Sequence, residues 1–191
     1  MEQVKQFTKR EKIMEQVKQF TNTEYPEAGN VPAILSGDEV LLALAARQGY
    51  MDMLEALIAK GADVGSNDDH TLQVAAQHGQ TAVVRYLLQR TEARAGSNNN
   101  QALCSAAGLG HLEVVVVLIN CGADENAQNG EPLYQAALHG HDAVVRVLLR
   151  AGADPFALSG RAFRAAVTGN HTGVALAIGD QMLACYKGGK S

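Results

Sequence analysis

The chain is poor in cysteine, and its three, Cys104, Cys121 and Cys185, are odd in number, widely spaced and without a Cys-x-x-Cys pair. That pattern encodes neither a disulfide framework nor a zinc knot, and it fits a reducing compartment. Long apolar runs are also missing: the longest, Val114 to Ile119, falls far short of the ~20 residues that a membrane span needs. The first twenty residues carry Lys5, Lys9, Arg10, Lys12 and Lys18 among their apolar positions, which leaves no stretch for a classical secretory signal. Positive charge is not in excess either. Sixteen Lys and Arg against twenty Asp and Glu give a formal net charge of -4, which removes the basic field that general nucleic-acid binding relies on. Charged residues make up only 19% of the sequence and apolar ones 47%, a balance that disordered chains do not have. In 191 residues that leaves one folded domain or one short repeat array, expected in the cytoplasm.

Sliding the sequence against itself finds one small-residue motif five times: Ala45-Ala46-x-x-Gly49, Ala75-Ala76-x-x-Gly79, Ala106-Ala107-x-x-Gly110, Ala136-Ala137-x-x-Gly140 and Ala165-Ala166-x-x-Gly169. The glycines are 30, 31, 30 and 29 residues apart. Apolar pairs follow each of them at offsets of four and five (Met53-Leu54, Val83-Val84, Val114-Val115, Val144-Val145, and a weaker Gly173-Val174) and again at eight and nine (Leu57-Ile58, Leu87-Leu88, Leu118-Ile119, Leu148-Leu149, Ala177-Ile178). Those offsets are one stripe of a 3.6-residue helix. A Gly-Ala-Asp closes three of the units at Gly61, Gly122 and Gly152, where glycine is suited to end a helix in the left-handed conformation. The paired alanines belong to a shorter preceding helix, whose small side chains let neighbouring units pack closely. The run Val114-Val115-Val116-Val117 has the β-branched composition of a strand. The register predicts a helix instead, because Val114 and Val115 take the positions of Val83-Val84 and Val144-Val145.

The sequence Ala-Ala-x-x-Gly-His-x-x-Val-Val-x-x-Leu-Leu-x-x-Gly-Ala-Asp, clearest from Ala136 to Asp154, resembles ankyrin repeats and recurs in register over residues 37–187. The resemblance implies an all-α helical solenoid of about five helix pairs, with units near 37–66, 67–97, 98–127, 128–157 and 158–187. The ~30-residue spacing is short of the family's usual ~33, and the shortfall lies between Gly-Ala-Asp and the next first helix. Truncated finger loops are therefore expected. The family's Thr-Pro-Leu-His box is eroded to His70-Thr71-Leu72-Gln73, Gln101-Ala102-Leu103-Cys104, Glu131-Pro132-Leu133-Tyr134 and Gly160-Arg161-Ala162-Phe163.

Terminal units must close an otherwise exposed apolar face. Gln181 replaces the closing glycine in the last unit, so its final helix is expected to run on to about Tyr186, before a tail at 188–191. At the other end, Met1 to Thr8 reappears identically as Met14 to Thr21. The duplication is read either as native or as an extension upstream of Met14. Ile13, Val17 and Phe20 give residues 1–22 an amphipathic helical pattern, and residues 23–36, with Pro26, Gly29 and Pro32, read as the connection into the array.

Catalytic and metal chemistry are not encoded at recognisable spacing. By resemblance, His111 and His141 occupy a slot that is usually histidine and structural. His78 and His139 share another slot two units apart, roughly 20 Å for packed elements and too far for one ion. Ala184-x-x-x-x-Gly189-Lys190-Ser191 matches a relaxed phosphate-loop pattern without the following helix that such a loop requires. Asn170-His171-Thr172 matches a glycosylation triplet by composition only. The cysteines read as inert buried or half-buried thiols. No enzyme activity, cofactor, metal, nucleic-acid or membrane partner is expected.

Binding is what the array leaves. In ankyrin repeats the groove is built from loop tips and first helices, and the resemblance places there the two residues between Ala-Ala and Gly: Arg47-Gln48, Gln77-His78, Gly108-Leu109, Leu138-His139 and Val167-Thr168. The candidate partner-binding residues are thus Gln77, His78, Leu109, Leu138 and His139, with Tyr134 nearby. Leu109 and Leu138 suggest an apolar centre with a polar surround; a merely solvated face is the plain alternative. A second candidate surface carries Arg85, Val116 and Arg146 in the slot of Glu55, and would suit an acidic or phosphate-bearing partner. The expected function is a non-enzymatic scaffold for a protein partner, by analogy with short-loop arrays of intracellular bacteria and large DNA viruses an effector-type adaptor for a host factor in the host cytosol. The rival is a structural or self-associating piece of a larger assembly. A monomer is expected, with a dimer left open.

Overall fold

The computed structural model describes residues 37–91 and 93–188. Ten helices follow one another there: α1 Gly37–Gln48, α2 Met51–Ala59, α3 Ser66–Gln77, α4 Thr81–Arg90, α5 Ser97–Gly108, α6 Leu112–Asn120, α7 Ala127–Leu138, α8 Asp142–Ala151, α9 Ala157–Thr168 and α10 Thr172–Gly188. There is no strand among the described residues, and the valine run is helical in α6. The expected helix at 1–22, its duplicated segment and the connection at 23–36 lie outside the described residues, as do the last three residues of the expected tail.

Odd-numbered helices stack on one another in series from α1 to α9, and even-numbered helices do so from α4 to α10. The stripes read from the sequence are the core. Val83, Val84, Leu87, Val115, Leu118, Val145 and Leu148 are fully buried, as are the paired alanines of the first four units. The eroded box keeps its one structural residue: Leu72, Leu103 and Leu133 are buried. A larger side chain in place of the alanines would push the odd helices apart, since interiors are close-packed.

One motif residue has two jobs. Gly49, Gly79, Gly110 and Gly140 all have φ between 68° and 76°, where a Cβ is strained. Each is also overlain by a side chain of the next unit: a Cβ on Gly110 would stand 2.6 Å from His141 Nδ1, and one on Gly140 2.5 Å from His171 Nδ1. The overlying rings are held in turn. Nε2 of His111, His141 and His171 donates to the carbonyls of Gln77, Gly108 and Leu138 at 3.0, 3.0 and 3.1 Å, and Gln80 Nε2 does the same for Arg47 O at 2.9 Å. These carbonyls lie in the last turns of α1, α3, α5 and α7, where a helix has acceptors without intrahelical partners. Each unit therefore caps the first helix of the unit before it.

The truncated loops are not featureless. Asn98 to Asn100, Gln128 to Gly130 and Leu158 to Gly160 all have positive φ, and so has Asp69. The chain makes a left-handed turn within the opening residues of α5, α7 and α9, a conformation that asparagine, aspartate and glycine tolerate best. Side chains from this region tie units together: Asn100 Oδ1 accepts from the Asp124 amide at 2.9 Å, Asn126 Oδ1 from the Asp154 amide at 2.7 Å, and the buried Asp69 from the Arg94 amide at 3.1 Å and the Ser97 hydroxyl.

The last unit corrects the sequence register by one residue. Asn170, not Gly169, takes the left-handed position, with φ 57°. Its amide bonds to Val167 O as those of Gly110 and Gly140 bond to Ala107 O and Ala137 O, and His171 follows it in the histidine slot. Asparagine is the residue after glycine that best accepts this conformation, so the motif lost its glycine there while Gly169 stood next door. The groove pair of that unit is Thr168-Gly169 rather than Val167-Thr168, and the buried Val174 and Ile178 are the first members of their apolar pairs rather than the second.

Candidate functional site

The odd helices present their ends and outward sides along one face, and between α3, α5 and α7 that face opens into a cleft of about 400 Å³. Its position follows from Gly108. In the same repeat slot the other units carry Arg47, Gln77, Leu138 and Thr168, so only here does the helix end without a side chain over the gap. Ser105 and the buried Cys104 lie one turn earlier on α5, and the exposed Leu109 stands at the end of that row. Gln77 closes the cleft from α3; Glu131, Gln135 and His139 rise along α7, four residues apart; Gln101 and Gln128 complete the lining.

The lining is rich in amides and holds one carboxylate. Glu131 is occupied on both oxygens, accepting from Gln135 Nε2 at 2.6 Å and from Arg161 Nη1 at 2.8 Å. The Arg161 guanidinium lies 3.4 Å from the centre of the Tyr134 ring, a cation–π contact that fixes its orientation. Gln128 Nε2 bonds to Asn99 O at 3.0 Å and lies 3.7 Å from Cys104 Sγ. Burial, with the Glu131 charge nearby, pushes the Cys104 thiol up to about 11, so at neutral pH it is a protonated, poorly nucleophilic group.

Three of the six groove residues expected from the sequence, Gln77, Leu109 and His139, meet in this cleft. Leu138 is 38% exposed and Leu109 52%, but Leu138 lies beyond the cleft lining. His78 is exposed and bonds to Val74 O of its own helix at 2.9 Å. Tyr134 packs against the core beneath Arg161. Of the second surface, Arg85, Val116 and Arg146 are exposed on α4, α6 and α8, and Arg146 Nε pairs with Asp142 at 2.8 Å. The cysteine reading is corrected at two positions: Cys121 and Cys185 are exposed, only Cys104 buried. The residues Ala184 to Gly188 of the phosphate-loop match are part of α10.

Gln101, Ser105, Glu131 and Gln135 are cleft residues that the motif-by-motif reading passes over. Their signal is in the sequence: Gln101, Ser105 and Leu109 are four apart, as are Glu131, Gln135 and His139. Each trio is a single helical row ending in the slot already singled out. Among the described residues no three His, Cys, Asp or Glu side chains gather as a metal site would require, and no helix is long and apolar enough to cross a membrane.

A family model described as ankyrin repeats (3 copies) matches residues 13–97, 42–129 and 91–159. Among curated proteins, an ankyrin repeat and KH domain-containing protein, mask-1, of Caenorhabditis elegans is 33% identical over 115 residues. That stretch is 60% of this chain and 4% of the relative, so the chain spans a small fraction of the protein it matches.

Proposed function

The chain belongs to the ankyrin-repeat family, and from that membership we propose that it is a non-enzymatic interaction module whose protein partner docks on the odd-helix face across the cleft over Gly108. The observation that carries the proposal is the coincidence of that cleft with Leu109, a large apolar side chain left 52% exposed at its rim. Exposed apolar groups beside hydrogen-bonding ones are what a partner-binding patch needs. The lining also suits one partner chemistry. With Glu131 ion-paired to Arg161 and hydrogen-bonded by Gln135, the cleft offers amide donors and acceptors and no unpaired carboxylate, which favours a segment with uncharged polar groups and an apolar anchor over an ionic one. An intracellular, reducing setting goes with this reading, because Cys121 and Cys185 are exposed free thiols. An effector-type adaptor for a host factor is its narrowest form and rests on the short loops.

The test is affinity capture with matched variants. Leu109→Asp removes the anchor and buries a charge in the interface, and is expected to weaken partner binding by roughly 1–3 kcal/mol while the chain stays folded. Arg85→Glu on α4 is expected to leave the same partner bound. Capture that survives Leu109→Asp and is lost in Arg85→Glu moves the site to the even-helix surface.

A further inference from the structure

Hydrogen bonds inside the Gly108 cleft fix which way its side chains present their polar atoms. Gln128 Nε2 donates to Asn99 O at 3.0 Å, and Gln135 Nε2 donates to Glu131 Oε1 at 2.6 Å. His139 Nδ1 stands 2.9 Å from Gln135 O. A carbonyl or carboxylate oxygen only accepts, so the nitrogen facing it must be the donor. Both glutamine amide oxygens are therefore left for the cleft, and the neutral His139 ring, with its proton on Nδ1, keeps the Nε2 lone pair. Among the described residues no donor reaches Gln128 Oε1, Gln135 Oε1 or His139 Nε2. A docked group without N–H or O–H would strip water from these three acceptors and return no hydrogen bond.

Charge narrows the ligand from both sides. Acceptor atoms disfavour an anion. Glu131, the carboxylate of the lining, is already paired with Arg161 at 2.8 Å, so a second cation would enter a site whose counter-ion is taken. A neutral donor remains, and the primary amide is the neutral side-chain group that carries two N–H donors together with a carbonyl. That carbonyl also has donors to meet. Each of the two glutamines keeps a second amide hydrogen, and the Ser105 hydroxyl, which accepts from Gln101 Nε2 at 3.2 Å, has its own proton to give. An apolar residue beside the amide would rest on Leu109 at the rim. We infer that the cleft selects a partner segment carrying an Asn or Gln side chain next to an apolar residue, with Gln128, Gln135 and His139 as the specificity-determining acceptors. The inference rests on the docking proposed above and adds what fills the cleft.

A random dodecapeptide library displayed on phage and selected on the full chain is expected to return sequences with Asn or Gln next to an apolar residue. In fluorescence anisotropy, changing that amide of a selected peptide to the matching acid, or to lysine, is expected to weaken binding about tenfold, because the acceptors then face an anion or a cation without a counter-ion. His139→Phe keeps a ring at an exposed position and removes its acceptor; Gln135→Met does the same for the half-buried amide on α7. Each variant is expected to erase most of the preference for the amide over its apolar isostere, with helical circular dichroism and melting unchanged. If one variant fails to fold, the other decides. Peptides that lose binding in Leu109→Asp but carry Arg, Lys, Asp or Glu in place of the amide overturn this inference and leave the docking proposal standing. An amide preference that both variants keep also overturns it. A selection that returns no peptide, or only peptides that bind Leu109→Asp as tightly as the original chain, overturns both.

Discussion

Val145→Asp is expected to unfold the array from its centre, with a loss of about 3–5 kcal/mol in urea denaturation followed by circular dichroism. Val145 is fully buried in α8, and its methyls fill space between helices with no polar group placed to receive a carboxylate. The charged form would have to be desolvated unpaired. The alternative, a shift to the neutral acid, still leaves a polar group without a partner. Because each unit is stable through its neighbours, the damage should spread: α8 packs on both α6 and α10. Leu138→Asp, only seven residues away, is the control. That side chain is exposed at the end of α7, and its backbone carbonyl, held by His171, is untouched by the substitution. The expected cost is about 1 kcal/mol or less, mainly from a negative charge near a helix C-terminus. Equal losses for the two variants would mean that Leu138 is a core residue.

Gly110→Ala and Gly61→Ala separate two reasons for a conserved-looking glycine within one molecule. Both glycines have left-handed backbones, φ 76° and 90°. A Cβ on Gly61 meets nothing within 4 Å, whereas one on Gly110 would stand 2.6 Å from His141 Nδ1. Gly61→Ala should therefore cost only backbone strain, about 1–2 kcal/mol. Gly110→Ala adds displacement of the His141 ring and loss of its hydrogen bond to Gly108 O, which leaves a helix-terminal carbonyl without its partner. A total of roughly 3–4 kcal/mol is expected. Similar losses in the two variants, measured by the same denaturation, would show that the ring is free to move aside and that the inter-unit cap contributes little. The substitution has a second consequence, because the capped carbonyl belongs to the residue that opens the cleft. Loosening His141 loosens the end of α5 where Gly108 and Leu109 sit.

How far the sequence foretells this structure depends on what sets each feature. Helix pairing and core positions are legible because they repeat: Val83, Val114 and Val144 are buried in the same slot, and periodicity reports such positions whatever their neighbours. The valines of α6 show the same thing, since stacking overrides their preference for strand. The left-handed turns at 98–100, 128–130 and 158–160 are written in Asn98-Asn99-Asn100, Asn129-Gly130 and Ser159-Gly160, but the residues differ from unit to unit and do not stand out as a motif. The register of the last unit goes astray for a related reason: Asn170 does glycine's work, and composition hides it. The cleft is legible only in part. Leu109, Gln77 and His139 lie in repeat slots and can be read off, whereas the cleft itself comes from the absence of a side chain at Gly108. Tyr134 is placed under Arg161 by a contact between units 30 residues apart, which no single repeat records.

Hydrogen–deuterium exchange on the complex with the captured partner tests the binding claim most directly, because it reports which helices the partner covers. The account predicts slowed exchange at the ends of α3, α5 and α7, around Gln77, Leu109 and His139, with α4, α6 and α8 unchanged. Slowed exchange confined to α4, α6 and α8, with the odd helices exchanging as in the free chain, would contradict it.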